Sequence, residues 1–206
     1  MKFDVFKHRL IKLKNKSLPG VQSHLELAPK NRIQLLKKYK LNLETHDAAV
    51  SLCFYPDMNN NVILPLILRN KYHGVHSNQI SFPGGKKEDD DLDLIDTSKR
   101  ETFEEVGIKK ENMNFQFKLT DIYIPPSNFL VRPYIFIIEK TPLLNPNRHE
   151  VVKVIKPNLK SLMNLNVQYG HTNEKKIECP FFLIENHIVW GATAMILNEF
   201  LSLFNQ

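Results

Sequence analysis

Residues 84–108 read GGKKEDDDLDLIDTSKRETFEEVGI, and this stretch decides the fold. Written as a helix, its second half places Glu101, Glu104 and Glu105 at i, i+3 and i+4, so the three carboxylates share one face. Like charges at that spacing repel, and something must offset them. Solvent together with Lys99 and Arg100 is one answer, and a bound divalent cation is the other. Hard cations such as Mg²⁺ or Mn²⁺ take several oxygen ligands, which a carboxylate ladder supplies. Thr102, Phe103, Val106 and Ile108 fall on the other faces and are available for packing. The preceding Gly84-Gly85 pair lets backbone approach a ligand or metal closely. A metal held beside a diphosphate polarises phosphoryl oxygens and generates hydroxide from bound water.

Outward from this segment the hydrophobic period changes along the chain. Residues 3–15 carry Phe3, Phe6, Leu10, Ile11 and Leu13 at helical spacing and predict an amphipathic helix, with a second helix over 31–40. Strands are predicted over 48–55, 62–68, 79–82, 115–124, 130–138, 150–155, 177–182 and 188–190. The helix that holds the carboxylates is predicted from about residue 92 to 106, with Asp96 or Thr97 able to cap a later start and Gly107 as its stop. A helical turn at 159–163 and a last helix at 192–204 complete the pattern. The result is an α+β fold, a mixed sheet flanked by helices in an α/β/α sandwich. The division is an N-terminal helical extension (1–44) and one domain (45–206).

Composition bounds the rest. The 206 residues carry a net charge of +6. Residues 1–40 hold eleven Lys/Arg against two acids, while residues 86–105 hold nine acids against four Lys/Arg. A compact acidic segment inside a basic body suits divalent cations in the former and an anionic ligand for the latter. The longest apolar run, residues 62–68, is interrupted by Pro65 and is far short of the about 20 residues of a membrane span. The N-terminal segment lacks an apolar core of the secretory kind. Cys53 and Cys179 have no metal-ligand spacing, and a reducing, cytoplasmic setting is expected. Neither a membrane nor a nucleic acid is an expected partner, since basic motifs interleaved with aromatics are absent.

The acidic string resembles the Nudix box, G-x5-E-x7-R-E-U-x-E-E-x-G-U, where U is aliphatic. Gly85 opens it, Asp91 replaces the first Glu, and Arg100-Glu101 follows after eight residues rather than seven. Thr102 stands at the aliphatic position, and Glu104-Glu105, Gly107 and Ile108 fall in place. The longer acidic loop resembles the coenzyme A pyrophosphatase subgroup. So does PLILRNKYHGVHSNQISFPGG at 65–85, where Leu66, Arg69, His76, Ile80, Phe82, Pro83, Gly84 and Gly85 match or are close. Ile67, Asn70, Gly74 and Asn78 depart from that pattern, Gly74 replacing an Arg. Residues 126–134, 145–151 and 188–194 are similar to later family segments, as are Leu18-Pro19-Gly20 and Ala28-Pro29-x-x-Arg32 near the start.

The resemblance implies a Nudix fold and a diphosphate hydrolase. It would use Mg²⁺ or Mn²⁺ to cleave coenzyme A or a derivative into 3′,5′-ADP and 4′-phosphopantetheine or its acyl form. Alternatives are a Nudix hydrolase of another nucleoside diphosphate compound, such as ADP-ribose or a dinucleotide polyphosphate, and a non-catalytic Nudix-fold binding module. The implied metal ligands are Glu101, Glu104, Glu105 and Gly85. The implied catalytic set is the same three glutamates with Arg100, which braces Glu104, and Glu150, a general base or further ligand. Asp91 and Glu88 are further candidates for touching a metal, directly or through water. Arg69, His76, Gln79 and Phe82 are the candidates for substrate contact, although Phe82, like Trp190, reads first as core. The partner is a small nucleotide-like substrate, with a homodimer as a further option.

Overall fold

The computed structural model describes residues 1–39, 42, 44–71, 78–171 and 178–206. His76 lies outside the described residues. Three helices come first: α1 (Phe3–Leu13), α2 (Val21–Glu26) and α3 (Arg32–Lys38). Then follow β1 (His46–Pro56), β2 (Val62–Ile63), β3 (Leu66–Arg69), β4 (Ile80–Ser81), β5 (Gly84–Lys86) and α4 (Leu94–Val106). The second half holds β6 (Asn114–Lys118), β7 (Ile122–Ile124), β8 (Phe129–Ile137), β9 (Val151–Ile155) and α5 (Leu159–Met163), ending with β10 (Gln168–His171), β11 (Glu178–Ile184), β12 (His187–Trp190) and α6 (Gly191–Phe204).

The organising pair is β1 with β8, parallel and in register from His46↔Phe129 to Phe54↔Ile137. Around it the main sheet runs β5-β1-β8-β7 at one end and β2-β1-β8-β6 at the other, with every pairing except β1–β8 antiparallel. Strand β1 is apolar on both faces, as a strand covered on two sides must be. Ala48, Leu52 and Phe54 join a core with α1 and α6, whereas Ala49, Cys53 and Tyr55 face α4 and join Val106, Ile108 and Met113. This makes the α/β/α layering. Helix α1 is seated in the first core through buried Phe3, Phe6, Leu10 and Leu13. Its Phe6 ring lies 4.8 Å from Phe54 and 5.5 Å from Phe204.

Several expectations need correction. The apolar run 62–68 is two strands, because Pro65 has no N–H to donate. Strand β2 pairs with β1, while β3 leaves for a separate sheet with β4 and β9. The run 115–124 likewise breaks into β6 and β7, both laid on β8. Helix α4 starts at Leu94, capped by Asp93, whose carboxylate accepts from Asp96 N–H at 2.7 Å. Phe103 does not pack: it is 48% exposed, while Thr102 and Val106 are fully buried. Helix α2 and strands β5 and β10 were not anticipated; each is a few residues long and lacks a periodic apolar pattern. Among the described residues no helix is long and apolar enough to cross a membrane.

Candidate active site

Helix α4 is held against β1 by small polar side chains. Ser51 Oγ donates to the Ser98 carbonyl at 3.0 Å, and Thr102 Oγ1 donates to the same oxygen at 2.7 Å. Thr97, Ser98 and Thr102 are buried without bulk, so the helix approaches the sheet closely and its acidic face is carried to β5. Gly107, at φ +77°, closes the helix, and its N–H donates to the Phe103 carbonyl at 2.8 Å. The segment after β8 completes the cap, with Asn145 N–H donating to Val106 O and Asn147 N–H to Glu105 O.

The three glutamates share the helix face but not their surroundings. Glu105 is fully buried. Its Oε1 accepts from Arg69 Nη1 at 2.8 Å and its Oε2 from Gly84 N–H at 2.8 Å. Burial pushes its pKa up to about 7 against the pull of Arg69 and Gly84, and the charges of Glu101 and Glu150 push the same way. Glu101 lies directly over Gly85, and a Cβ on that glycine would stand 2.4 Å from Glu101 Oε1. Burial raises its pKa too, opposed by Arg100 and assisted by Glu104. Glu104 points outward, its side chain 47% exposed.

Arg100 ties the acidic segment together. Its Nε and Nη2 hold the two oxygens of Asp91 at 2.8 and 2.9 Å, and its Nη1 reaches Glu101 at 3.0 Å and Glu104 at 3.1 Å. Nη2 also donates to the Lys86 carbonyl. Asp91 is buried, and its oxygens take further bonds from Thr97 Oγ1 and Glu88 N–H. Arg100 holds the Asp91 carboxyl well below the usual carboxylate range. Asp91 therefore faces a guanidinium, not open space, and Glu88 is exposed with its carboxylate 3.7 Å from Arg100. Glu150 is exposed just before β9. The turn of residues 147–150 brings it beside Glu105: its carbonyl accepts from Asn70 N–H, and its Oε1 from Asn147 Nδ2 at 3.3 Å.

Whether this set suits a divalent cation is a matter of donor chemistry. All the donors are hard oxygens. Two carboxylates are pushed toward protonation by burial, which a nearby cation would relieve, and the missing Cβ at Gly85 leaves room where backbone and carboxylate meet. The residues fit Mg²⁺ or Mn²⁺ in kind. Their side chains are not gathered: among the described residues no three His, Cys, Asp or Glu converge on one point, since Arg100 and Arg69 take the intervening places.

Beside the carboxylates opens a cavity of about 590 Å³. Gly84, Gly85 and Lys86 form one border, where it meets Arg69, and Ile124 to Pro126, Phe129 and Val131 lie toward the other. Gln79 and Phe82 line it, as do Trp190 and the first turn of α6. Phe82 is also core, 2% exposed. Sequence reasoning did not place Arg32 here, nor its neighbours Pro29, Asn31 and Leu35, all of which line the cavity. Two signals were available, the excess of Lys and Arg in the first forty residues and the Ala28-Pro29-x-x-Arg32 segment, but neither says which surface this arginine faces.

Comparison with known proteins bears on the family and the fold. Residues 45–175 match the NUDIX domain family. The mitochondrial coenzyme A diphosphatase NUDT8 of Mus musculus is 32% identical over 174 residues, covering 79% of this chain and 81% of its own length. NudL of Pectobacterium atrosepticum, described as an uncharacterized Nudix hydrolase, is 30% identical over 60% of this chain and 66% of its own. The crystal structure of the MutT protein from Methanosarcina mazei Go1 superposes with a TM-score of 0.53 over 80% of this chain and 99% of that one, at 15% identity, a likeness of fold. With the box, the layered fold and the family match in agreement, the chain belongs to the Nudix family and is a pyrophosphohydrolase.

Proposed function

We propose that the protein hydrolyses the diphosphate of coenzyme A or a derivative, releasing 3′,5′-ADP and 4′-phosphopantetheine or its acylated form. The observation that carries this reading is the junction at Gly84-Gly85, where buried carboxylates of α4 meet a mostly apolar cavity of nucleotide size whose lining charges are positive. The names of the mouse and human relatives, coenzyme A diphosphatases, support the choice of substrate.

Glu101, Glu104, Glu105 and the Gly85 carbonyl would hold Mg²⁺ or Mn²⁺. Bound there, the ion supplies Lewis acidity toward the phosphoryl oxygens and lowers the pKa of water. The chain's own residues do the rest. Arg100 orients Glu101 and Glu104 from the rigid seat of Asp91. Arg69 compensates Glu105 and, at the cavity wall, offers positive charge to the substrate. Glu150 is the carboxylate near Glu105 that no arginine holds among the described contacts, and it takes the proton of the attacking water at a carboxylate oxygen. Gln79 and Phe82 shape the cavity. A reducing, cytoplasmic setting fits two cysteines that are both buried and free.

The test is turnover with Mg²⁺ or Mn²⁺ on coenzyme A, acetyl-coenzyme A, dephospho-coenzyme A, ADP-ribose and a diadenosine polyphosphate, with Glu104→Gln beside wild type. Release of 3′,5′-ADP from coenzyme A, lost in the variant, is expected. Preference for ADP-ribose or a dinucleotide would replace the substrate and keep the hydrolase.

A further inference from the structure

We propose that Arg32, on the N-terminal extension, is a specificity-determining residue that binds a second phosphate of the substrate, a phosphate monoester remote from the diphosphate. The inference rests on the reading of the cavity as the substrate site. It does not depend on which diphosphate compound is turned over.

The charges that line the cavity are Arg32, Arg69 and Lys86, and no carboxylate lines it among the described residues. Arg69 is committed to Glu105, and Lys86 sits beside Gly85 at the hydrolytic end. Arg32 is elsewhere. Its Nη2 donates to the Tyr123 carbonyl on β7 at 3.1 Å. The strand order from the hydrolytic end is β5-β1-β8-β7. Three inter-strand steps of about 4.8 Å separate the Gly85 strand from the strand that anchors Arg32, roughly 14 Å across the sheet. Between them the floor is apolar, with Ala48 and Val131 in register on neighbouring strands and Phe129 beyond. A diphosphate at one end and a guanidinium at the other thus bracket a space of nucleoside dimensions.

The electrostatics point the same way. Arg32 is half-buried, burial pulls its pKa below the usual arginine value, and no opposite charge counters that pull. A single carbonyl leaves most of a guanidinium's five donors for other partners. An arginine fork is matched to a phosphate with two oxygens to accept from it. Arg32 lies outside residues 45–175, the part of the chain that the family model matches.

A purely structural role must be separated, because Arg32 also anchors α3 to Tyr123. The experiment measures kcat and KM for two substrate pairs, each differing by one phosphate monoester: coenzyme A against dephospho-coenzyme A, and ADP-ribose 2′-phosphate against ADP-ribose. Wild type is compared with Arg32→Gln, which keeps a donor for Tyr123, and Arg32→Lys. For whichever pair wild type turns over, Arg32→Gln is expected to raise KM for the phosphorylated member about tenfold to a hundredfold, with kcat held. The unphosphorylated member should change less than about twofold, and Arg32→Lys should recover part of the loss. An equal loss on both members, or none on either, overturns the assignment. If wild type cleaves only the ADP-ribose pair, the coenzyme A reading fails while this one is still decided by that pair. If wild type cleaves neither pair, the substrate-site reading falls and Arg32 with it.

Discussion

Arg69 Nη1 stands 2.8 Å from Glu105 Oε1, so the end of β3 supplies the counter-charge for the most deeply buried carboxylate of α4. Removing one partner of such a pair strands the other. Arg69→Ala should destabilise the fold by about 2–3 kcal/mol, while Glu105→Gln, which keeps an acceptor for Gly84 N–H, should cost roughly 1 kcal/mol. Urea unfolding of both variants checks the order, and equal losses would show that the pair is not the reason.

The two adjacent glycines are expected to fail in different ways. At Gly84 (φ +152°) a Cβ would meet the Ala49 carbonyl at 2.3 Å, which is fixed backbone. Gly84→Ala should lower the thermal midpoint by several degrees, in line with a loss of about 2 kcal/mol or more. At Gly85 the clash is with the mobile end of Glu101. Gly85→Ala should fold nearly as well as wild type yet lose at least about tenfold in kcat, because Glu101 must swing away.

The metal reading is open to a direct measurement. Mn²⁺ binding followed by electron paramagnetic resonance should weaken by at least about tenfold in Glu101→Gln and in Glu104→Gln. Chelation should abolish turnover in wild type, and excess Mg²⁺ should restore it.

Acid should loosen the molecule at a place remote from the carboxylate helix. Glu199, fully buried on α6, binds His24 of α2 at 2.9 Å and accepts from the Thr120 N–H and hydroxyl. Burial pushes its pKa up, but these hydrogen bonds outweigh it, and the net value lies below that of an ordinary glutamate. A carboxylate depressed in the folded state contributes stability that is present above its unfolded value of about 4.3 and is lost as pH falls through the folded value. Unfolding free energy should therefore change little through this group between pH 7 and 5 and fall below about pH 4. Glu199→Gln should be less stable at pH 7 and show a flatter decline in acid.

Much of this was legible because it is local or periodic. The spacing of Glu101, Glu104 and Glu105, the stop at Gly107 and the aliphatic runs of β1 and β8 are written in consecutive residues. What was hidden depends on which segments meet. The box singles out Asp91 in sequence but does not say what it meets; only the fold of the 86–91 loop onto α4 puts it against Arg100. Nothing around Arg69 announces Glu105, thirty-six positions away. Strand β5 escapes because its identity comes from pairing with Ala48, Ala49 and Val50 rather than from its own Gly-Gly-Lys. Arg32 is named by a sequence resemblance, but its place at the cavity escapes because the carbonyl it meets belongs to a strand formed far downstream.

The aromatic contact between Phe6 and Phe204 has a consequence for the order of events on the ribosome. Helix α1 is made long before α6, yet it carries four residues that belong in a core the later helix completes, and β1 must wait for β8 to arrive as its parallel neighbour. Contacts this distant along the chain make folding slow, and they leave the phenylalanine stripe of α1 uncovered until α6 has been made. A nascent chain stalled before α6 should be held by chaperones or aggregate, and its release should coincide with the emergence of Phe200 and Phe204.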